Sequence, residues 1–301
     1  MKKWNLVIDI AKCFNCNNCT LACHDEYHDN EFPGVAHGMP KQGQNWFRIA
    51  QRETGAVPVV EVSYLPTTCN HCDNAPCVAA GRDGAVVKRA DGIVIIVPEK
   101  ARGQRQIVDA CPYGAVHWNE ERQLPQAWPF DAHLLDAGWT RTRGAQACPT
   151  QAMQVLHVED EEMRRLVEAE KLEVLNPEFG AAPRVYYRNL KRFRSVFIAG
   201  QVAAQAGGVV DCVEGATVTL ESRGRMVATV RTDAYGDFRF SGLDVDSGPY
   251  RVGIVDPRYA TETREVELRR DSVDLGCIAL RPRAGAQPQP GVRSAEAASI
   301  N

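Results

Sequence analysis

The chain has 301 residues, 35 basic and 38 acidic side chains and eleven cysteines. Its length allows two or three domains. A formal net charge of −3 offers no footing for nucleic acid, and no stretch approaches the roughly 20 apolar residues that span a bilayer. The N-terminus reads as neither a signal peptide nor a twin-arginine leader, so the thiols are expected in a cytoplasmic setting, where grouped cysteines bind metal rather than form disulfides.

Residues 5–10 (NLVIDI) predict a strand that runs directly into Cys13, Cys16, Cys19 and Cys23, spaced C-x-x-C-x-x-C-x-x-x-C. Three thiolates at this spacing wrap one 4Fe–4S cubane and leave the fourth for a different cluster. The segment between Cys23 and Cys69 is too long for a simple connector. It predicts either a contact with a larger partner chain or a packing loop over the first cluster. A second motif, CNHCDNAPC, supplies Cys69, Cys72 and Cys77; His71 within it reads as a neighbour of the ligands or a surface residue. Residues 91–97 (DGIVIIV) predict another strand. Cys111 and Cys148 each directly precede proline, the usual closing position of a cubane whose other ligands lie elsewhere, where the fixed φ of proline holds the turn.

Two triplets and two closers make two four-thiolate sets: Cys13, Cys16, Cys19 with Cys148, and Cys69, Cys72, Cys77 with Cys111. The later piece folding back beside the first is the topology of a duplicated ferredoxin. Structural zinc is the alternative for these cysteines, but four-cysteine zinc sites usually come as two C-x-x-C pairs. Asn and Gly in the motif loops suit turns that aim backbone N–H groups at sulfur.

Residues 159–172 predict a helix, with Met163, Leu166, Val167 and Leu172 at helical spacing and an acidic first turn; residues 183–193 read as extended. Beyond 199 the pattern changes to period two, at 216–222, 225–232, 237–243, 250–256 and 263–269, which predicts a small β-sandwich. Cys212 and Cys277 are expected there as buried thiols. The Pro-, Ala- and Ser-rich end reads as a flexible tail. The fold class is α+β: a duplicated ferredoxin-like 4Fe–4S domain with a helical linker (1–198), an all-β sandwich of transthyretin- or immunoglobulin-like type (199–280), and a tail (281–301). No phosphate loop, Ser–His–Asp set or paired-carboxylate motif stands out, so the chain is expected to have no active site of its own.

The segments VIDIAKCFNCNNC, CNHCDNAPCVA, DGIVIIVPEKA, CPYGAVHWNEE, AHLLD and NPEFGAAPRVYYRNLKRF resemble the small iron–sulfur subunits of the pyrogallol–phloroglucinol transhydroxylase family, among the molybdopterin oxidoreductases, and the C-terminal sandwich matches as well. The resemblance extends to about residue 280. It implies an electron-transfer subunit paired with a large catalytic subunit that alone holds molybdopterin and acts on a phenolic ring; resorcinol hydroxylase is similar. It also implies a further cluster bound by Cys23 and three later cysteines, but this chain has Trp128, Asp131 and Gly144 there. Gly81 stands where a ferredoxin places a fourth thiol after Cys77, and Ala101, Gln104 and Ile107 stand where Cys111 would have its own triplet. Two clusters are therefore expected where the family pattern has three. Trp128 then fills the vacated volume and Cys23 is an inert buried thiol; a degenerate site of Cys23, Asp131 and His133 is the alternative. A second functional reading makes the clusters mainly structural, stabilising the large subunit.

Overall fold

Leu6, Val7 and Ile8 have no solvent exposure, which suits a strand covered on both faces. In the computed structural model, Lys3–Asp9 is the centre of a three-stranded sheet. Met153–Val158 pairs with it antiparallel, Ile8 opposite Met153, and Val185–Arg188 pairs parallel, Leu6 opposite Val185. The late segment thus returns beside the N-terminal strand, and Cys148 comes back towards Cys13. The helix Asp160–Glu170, through Met163, and Leu172 just beyond its end cover Val7, all three buried.

The structure describes residues 1–206 and 209–283, so the expected tail lies, from residue 284, outside the described residues. The chain divides into two compact units: Met1–Arg52 with Val62–Phe193, and Glu53–Glu61 with the chain from Arg194 onward. The strands Arg48–Ala56 and Val59–Thr67 form a two-stranded sheet whose tip groups with the second unit, a feature without a sequence signal. Within the first unit, Val86–Lys88 pairs antiparallel with Val94–Ile96 and His117–Asn119 with Leu124–Gln126. No helix is long and apolar enough to cross a membrane, among the described residues.

The second unit has two four-stranded sheets. In one, Val196–Ala206 pairs with Asp237–Leu243 and Val209–Cys212 antiparallel and with Val273–Leu280 parallel. The other runs in the order Arg225–Arg231, Thr217–Ser222, Gly248–Val255, Glu262–Leu268. Alternate residues enter one core, among them Ile198, Val202, Val218, Leu220, Phe240, Val252 and Ile254, as period-two patterning requires.

Gly236 closes the turn into Asp237–Leu243 at φ +76°, and a Cβ there would lie 2.3 Å from the Val202 carbonyl oxygen. That approach is needed because Val202 N–H donates to the Gly236 carbonyl at 2.7 Å. Gly236→Ala is expected to destabilise the sandwich by more than about 1 kcal/mol, the left-handed backbone and the clash acting together. An unchanged thermal midpoint would show that the turn relaxes freely.

Candidate metal centres

The first site forms where the central strand ends. Asp9 Oδ1 accepts from Ala11 N–H at 3.0 Å and from Asn189 Nδ2 at 2.8 Å, which holds the start of the loop. Asn15 and Asn17 then take left-handed conformations (φ 61° and 60°), which Asn adopts more readily than most residues, and the chain curls through Cys13 and Cys16 into the helix Asn18–Tyr27 that carries Cys19. Cys148 follows the helix Arg143–Ala147 and is brought in by the pairing of Met153–Val158 with Lys3–Asp9; Ala152 N–H points at its sulfur at 3.3 Å. Cys13, Cys16, Cys19 and Cys148, with Phe14, Ile49, Pro66 and Met153 among their neighbours, line one cavity.

The second site repeats this arrangement. His71, at φ 46°, turns the loop between Cys69 and Cys72, and Cys77 begins the helix Pro76–Ala80. The short helix Gln106–Asp109 packs Ile107 into a core with Cys77, Val86, Val94 and Val116. That contact sets Cys111 opposite the triplet. Cys69, Cys72, Cys77 and Cys111 line a second cavity.

Two properties test these sites against a metal. Among the described residues, no three His, Cys, Asp or Glu side chains converge as a single metal ion requires; each set of four sulfurs surrounds a space instead. A cubane fits that donor arrangement better than one tetrahedral zinc. Second, the thiols resist ionisation without a cation. Burial pushes Cys19 up to about 11, Cys72 to about 12 and Cys77 to about 11, and raises Cys13 and Cys69 as well. Neighbouring thiols add to the rise at each. A thiolate ligand there needs metal charge to offset its desolvation.

Cys23 lines neither cavity. It is 2% exposed, and burial, with Asp131, Cys19 and Glu26 nearby, pushes its thiol well above the ordinary range. Beside it, Phe130 and Asp131 adopt positive φ (59° and 52°), which turns Asp131 inward. Its Oδ1 accepts from Tyr27 Oη at 2.8 Å and Trp128 Nε1 at 2.7 Å, and its Oδ2 from Arg143 N–H at 2.6 Å. His133 is directed elsewhere: its Nε2 meets Glu26 Oε1 at 2.7 Å and its ring stacks on Phe32 at 3.8 Å. The alternative set of Cys23, Asp131 and His133 is not assembled as a metal site. Trp128 is among the largest fully buried side chains. It packs on Phe130 (4.8 Å), Phe47 (4.7 Å) and His71 (5.5 Å), so aromatic rings stand beside the position where the family pattern has its further cluster. A Cβ on Gly144 would sit in ordinary contact with Cys19 Cβ at 3.4 Å and Phe47 at 3.6 Å. Ala101 and Ile107, at the other substituted positions, are fully buried, and a Cβ on Gly81 would meet Val86 Cγ2 at 2.9 Å.

One sequence expectation, for Cys212 and Cys277, changes, and two others narrow to one of their alternatives. His71 is not at the surface: it is 1% exposed and lines the second cavity. Its Nδ1 accepts Val94 N–H at 3.0 Å, and burial lowers it to about 3, so the ring is neutral with its proton on Nε2. Cys212 and Cys277 are exposed free thiols. They lie opposite Ala203 and Gln201, on strands flanking Val196–Ala206, rather than in the sandwich core. The 24–68 loop contributes buried Met39, Trp46 and Phe47 to the core, which is its packing role. Sequence reasoning missed Phe47, and it missed Lys88, whose ammonium hydrogen-bonds the His71 carbonyl. A lone Lys in a short strand carries no motif by which it could have been found.

A 4Fe-4S dicluster domain model matches residues 60–158 and a carboxypeptidase regulatory-like domain model matches 198–278. The first match takes in the whole second cysteine set and Cys148 of the first. The chain is 44% identical to the pyrogallol hydroxytransferase small subunit of Pelobacter acidigallici, over 93% of this chain and 100% of that one. It is 27% identical to the arsenate respiratory reductase iron-sulfur subunit ArrB of a Shewanella strain, over 60% of this chain and 94% of the relative.

Proposed function

The chain belongs to the family of the pyrogallol hydroxytransferase small subunit, and on that premise we propose that it holds two 4Fe–4S clusters and conducts electrons for a larger, molybdopterin-binding subunit that hydroxylates a phenol. Cys13, Cys16, Cys19 and Cys148 ligate one cluster; Cys69, Cys72, Cys77 and Cys111 ligate the other. The observation that carries this reading is the pair of four-thiol sets, each lining one cavity. A cluster held by these residues would supply one-electron chemistry. The chain's own residues hold it, aim backbone N–H groups at sulfur and keep water away with apolar walls. Chemistry on the ring belongs to the partner. Residues 1–198 serve as the duplicated ferredoxin-like domain, and 199–280 as a transthyretin- or immunoglobulin-like module that docks or supports the partner; the heterodimer is cytoplasmic.

Anaerobically purified chain is expected to contain about eight iron and eight acid-labile sulfide atoms. Zinc without sulfide would overturn the reading, and about twelve of each would mean a third cluster. Rapid mixing of the oxidised complex with its phenol is expected to reduce the clusters during turnover. One observation favours a structural role instead: the edge-to-face rings Phe47, Trp128 and His71 run from one site to the other with side chains that carry no metal. Clusters that never change oxidation state in the mixing experiment would select that second reading.

A further inference from the structure

The two sites differ in the charge around them. Lys88 ends the strand Val86–Lys88, and its side chain is 22% exposed. Its Nζ donates to the His71 carbonyl at 2.8 Å, to the Gly92 carbonyl at 2.8 Å and to Asp73 Oδ1 at 2.8 Å. Three acceptors around one nitrogen match the three N–H donors of an ammonium, so the group is a cation. His71 and Asp73 flank Cys72 in sequence, so this cation is tied to the backbone of the second cysteine motif.

Asp73 does not cancel it, because Asp73 is shared. Arg184, itself 3% exposed, donates from Nε and Nη2 to the two Asp73 oxygens at 2.7 and 2.6 Å, and from Nη2 to Asp160 Oδ1 at 2.9 Å. Lys3 Nζ reaches Asp160 Oδ2 at 2.6 Å. The charges alternate Lys3, Asp160, Arg184, Asp73, Lys88, three cations to two carboxylates, and the excess positive charge ends at the second site. Its field reaches Cys72 and Cys77. At the first site the charged neighbours of Cys13 and Cys19 are the other thiols. Lys12, next to Cys13 in sequence, is exposed, where its field is screened by solvent and salt.

We infer that the Lys88 ammonium makes the second cysteine site the higher-potential one, so that an electron entering the chain settles on the cluster of Cys69, Cys72, Cys77 and Cys111. This rests on the two-cluster reading above. An added electron makes a cluster more negative, and a partly buried cation fixed beside it favours that reduced state. Among the described residues, no such cation acts on Cys13 or Cys19 of the first site. The chain is thereby polarised, with electrons running from the N-terminal site towards the second.

The test is an EPR-monitored redox titration of the full chain with both clusters quantified. Cys148→Ala, which leaves only the second site complete, identifies that site's signal. In the unaltered chain the second cluster is expected to titrate at the higher potential. Lys88→Met is expected to shift it to a more negative potential and leave the first cluster in place, while Lys88→Arg retains most of the original value. Asp73→Asn, which removes a negative charge from the same network, is expected to shift it the opposite way and serves if the methionine variant does not fold. An unaltered chain whose first cluster is the higher, or charge variants that leave the second potential unmoved, would overturn the inference while leaving the cluster assignment intact. A chain without iron and sulfide would overturn the cluster reading itself.

Discussion

Replacing Cys148 with alanine is expected to abolish the four-iron EPR signal of one site and leave the other at full intensity, with Cys111→Ala giving the reciprocal loss. The reason is topological. Cys148 lies over a hundred residues from Cys13, but Met153–Val158 returns antiparallel to Lys3–Asp9, and the cavity wall contains Cys148 with Cys13, Cys16 and Cys19. Cys111 lines the other cavity. Three thiols cannot complete a four-thiolate set, so each alanine affects its own ring. Cys23→Ala provides the contrast. This thiol lines neither cavity, so both signals are expected to persist. Loss of the same signal in the Cys148 and Cys111 variants, or loss of either in the Cys23 variant, would require a different partition of the ligands.

Trp128→Ala is expected to be the most destabilising single change in the first unit, at about 3–5 kcal/mol. Trp128 is 1% exposed, and its ring contacts Phe47, Phe130 and His71, so truncation leaves a large void between the two cysteine sites. It also deprives the buried Asp131 carboxylate of one of its three donors. Burial already raises the pKa of Asp131 against the pull of those hydrogen bonds, so each donor counts. Trp128→Phe separates the two effects: it keeps a ring in the space and loses only the indole N–H, for about 1–2 kcal/mol. Because cluster loss makes unfolding irreversible, the comparison is of apparent midpoints at one scan rate. A Trp128→Ala chain with an unchanged midpoint would show that the aromatic stack is not a support of the fold. Equal losses for alanine and phenylalanine would place the effect in the hydrogen bond rather than the packing.

Some of this molecule can be read without coordinates. The helix at 159–172 is visible from Met163, Leu166, Val167 and Leu172, and the structure has Asp160–Glu170 helical with Met163 and Leu172 buried. The sandwich strands are visible because one face must be apolar and the other not. The eight cysteines divide by spacing and by the two Cys-Pro pairs, and the structure gathers the same eight around two cavities. Trp128, Asp131 and Gly144, at the positions where the family resemblance implies further thiols, are equally plain in the sequence.

Other features depend on which segments meet. Cys212 and Cys277 were expected inside, but they sit opposite alternate residues of one strand and face solvent; period two places residues on faces without saying which face is covered. His71 was expected beside the ligands or at the surface, and the chain buries it because Trp128 and Phe130 come from a segment more than fifty residues away. The tip of the 48–67 hairpin joins the second unit with no mark in its composition.

By itself the sequence determined the grouping of eight cysteines into two sets of four and the division into a cysteine-rich part and a β-rich part. Those follow from local chemistry, since sulfur spacing limits what can be coordinated and side-chain period limits which secondary structure can bury an apolar face. Only the tertiary structure decided what surrounds each site: the aromatic stack between them, and the ammonium of Lys88 fixed on the second motif. Such properties come from desolvation and charge placement by residues remote in sequence, and a field acts through space rather than along the chain.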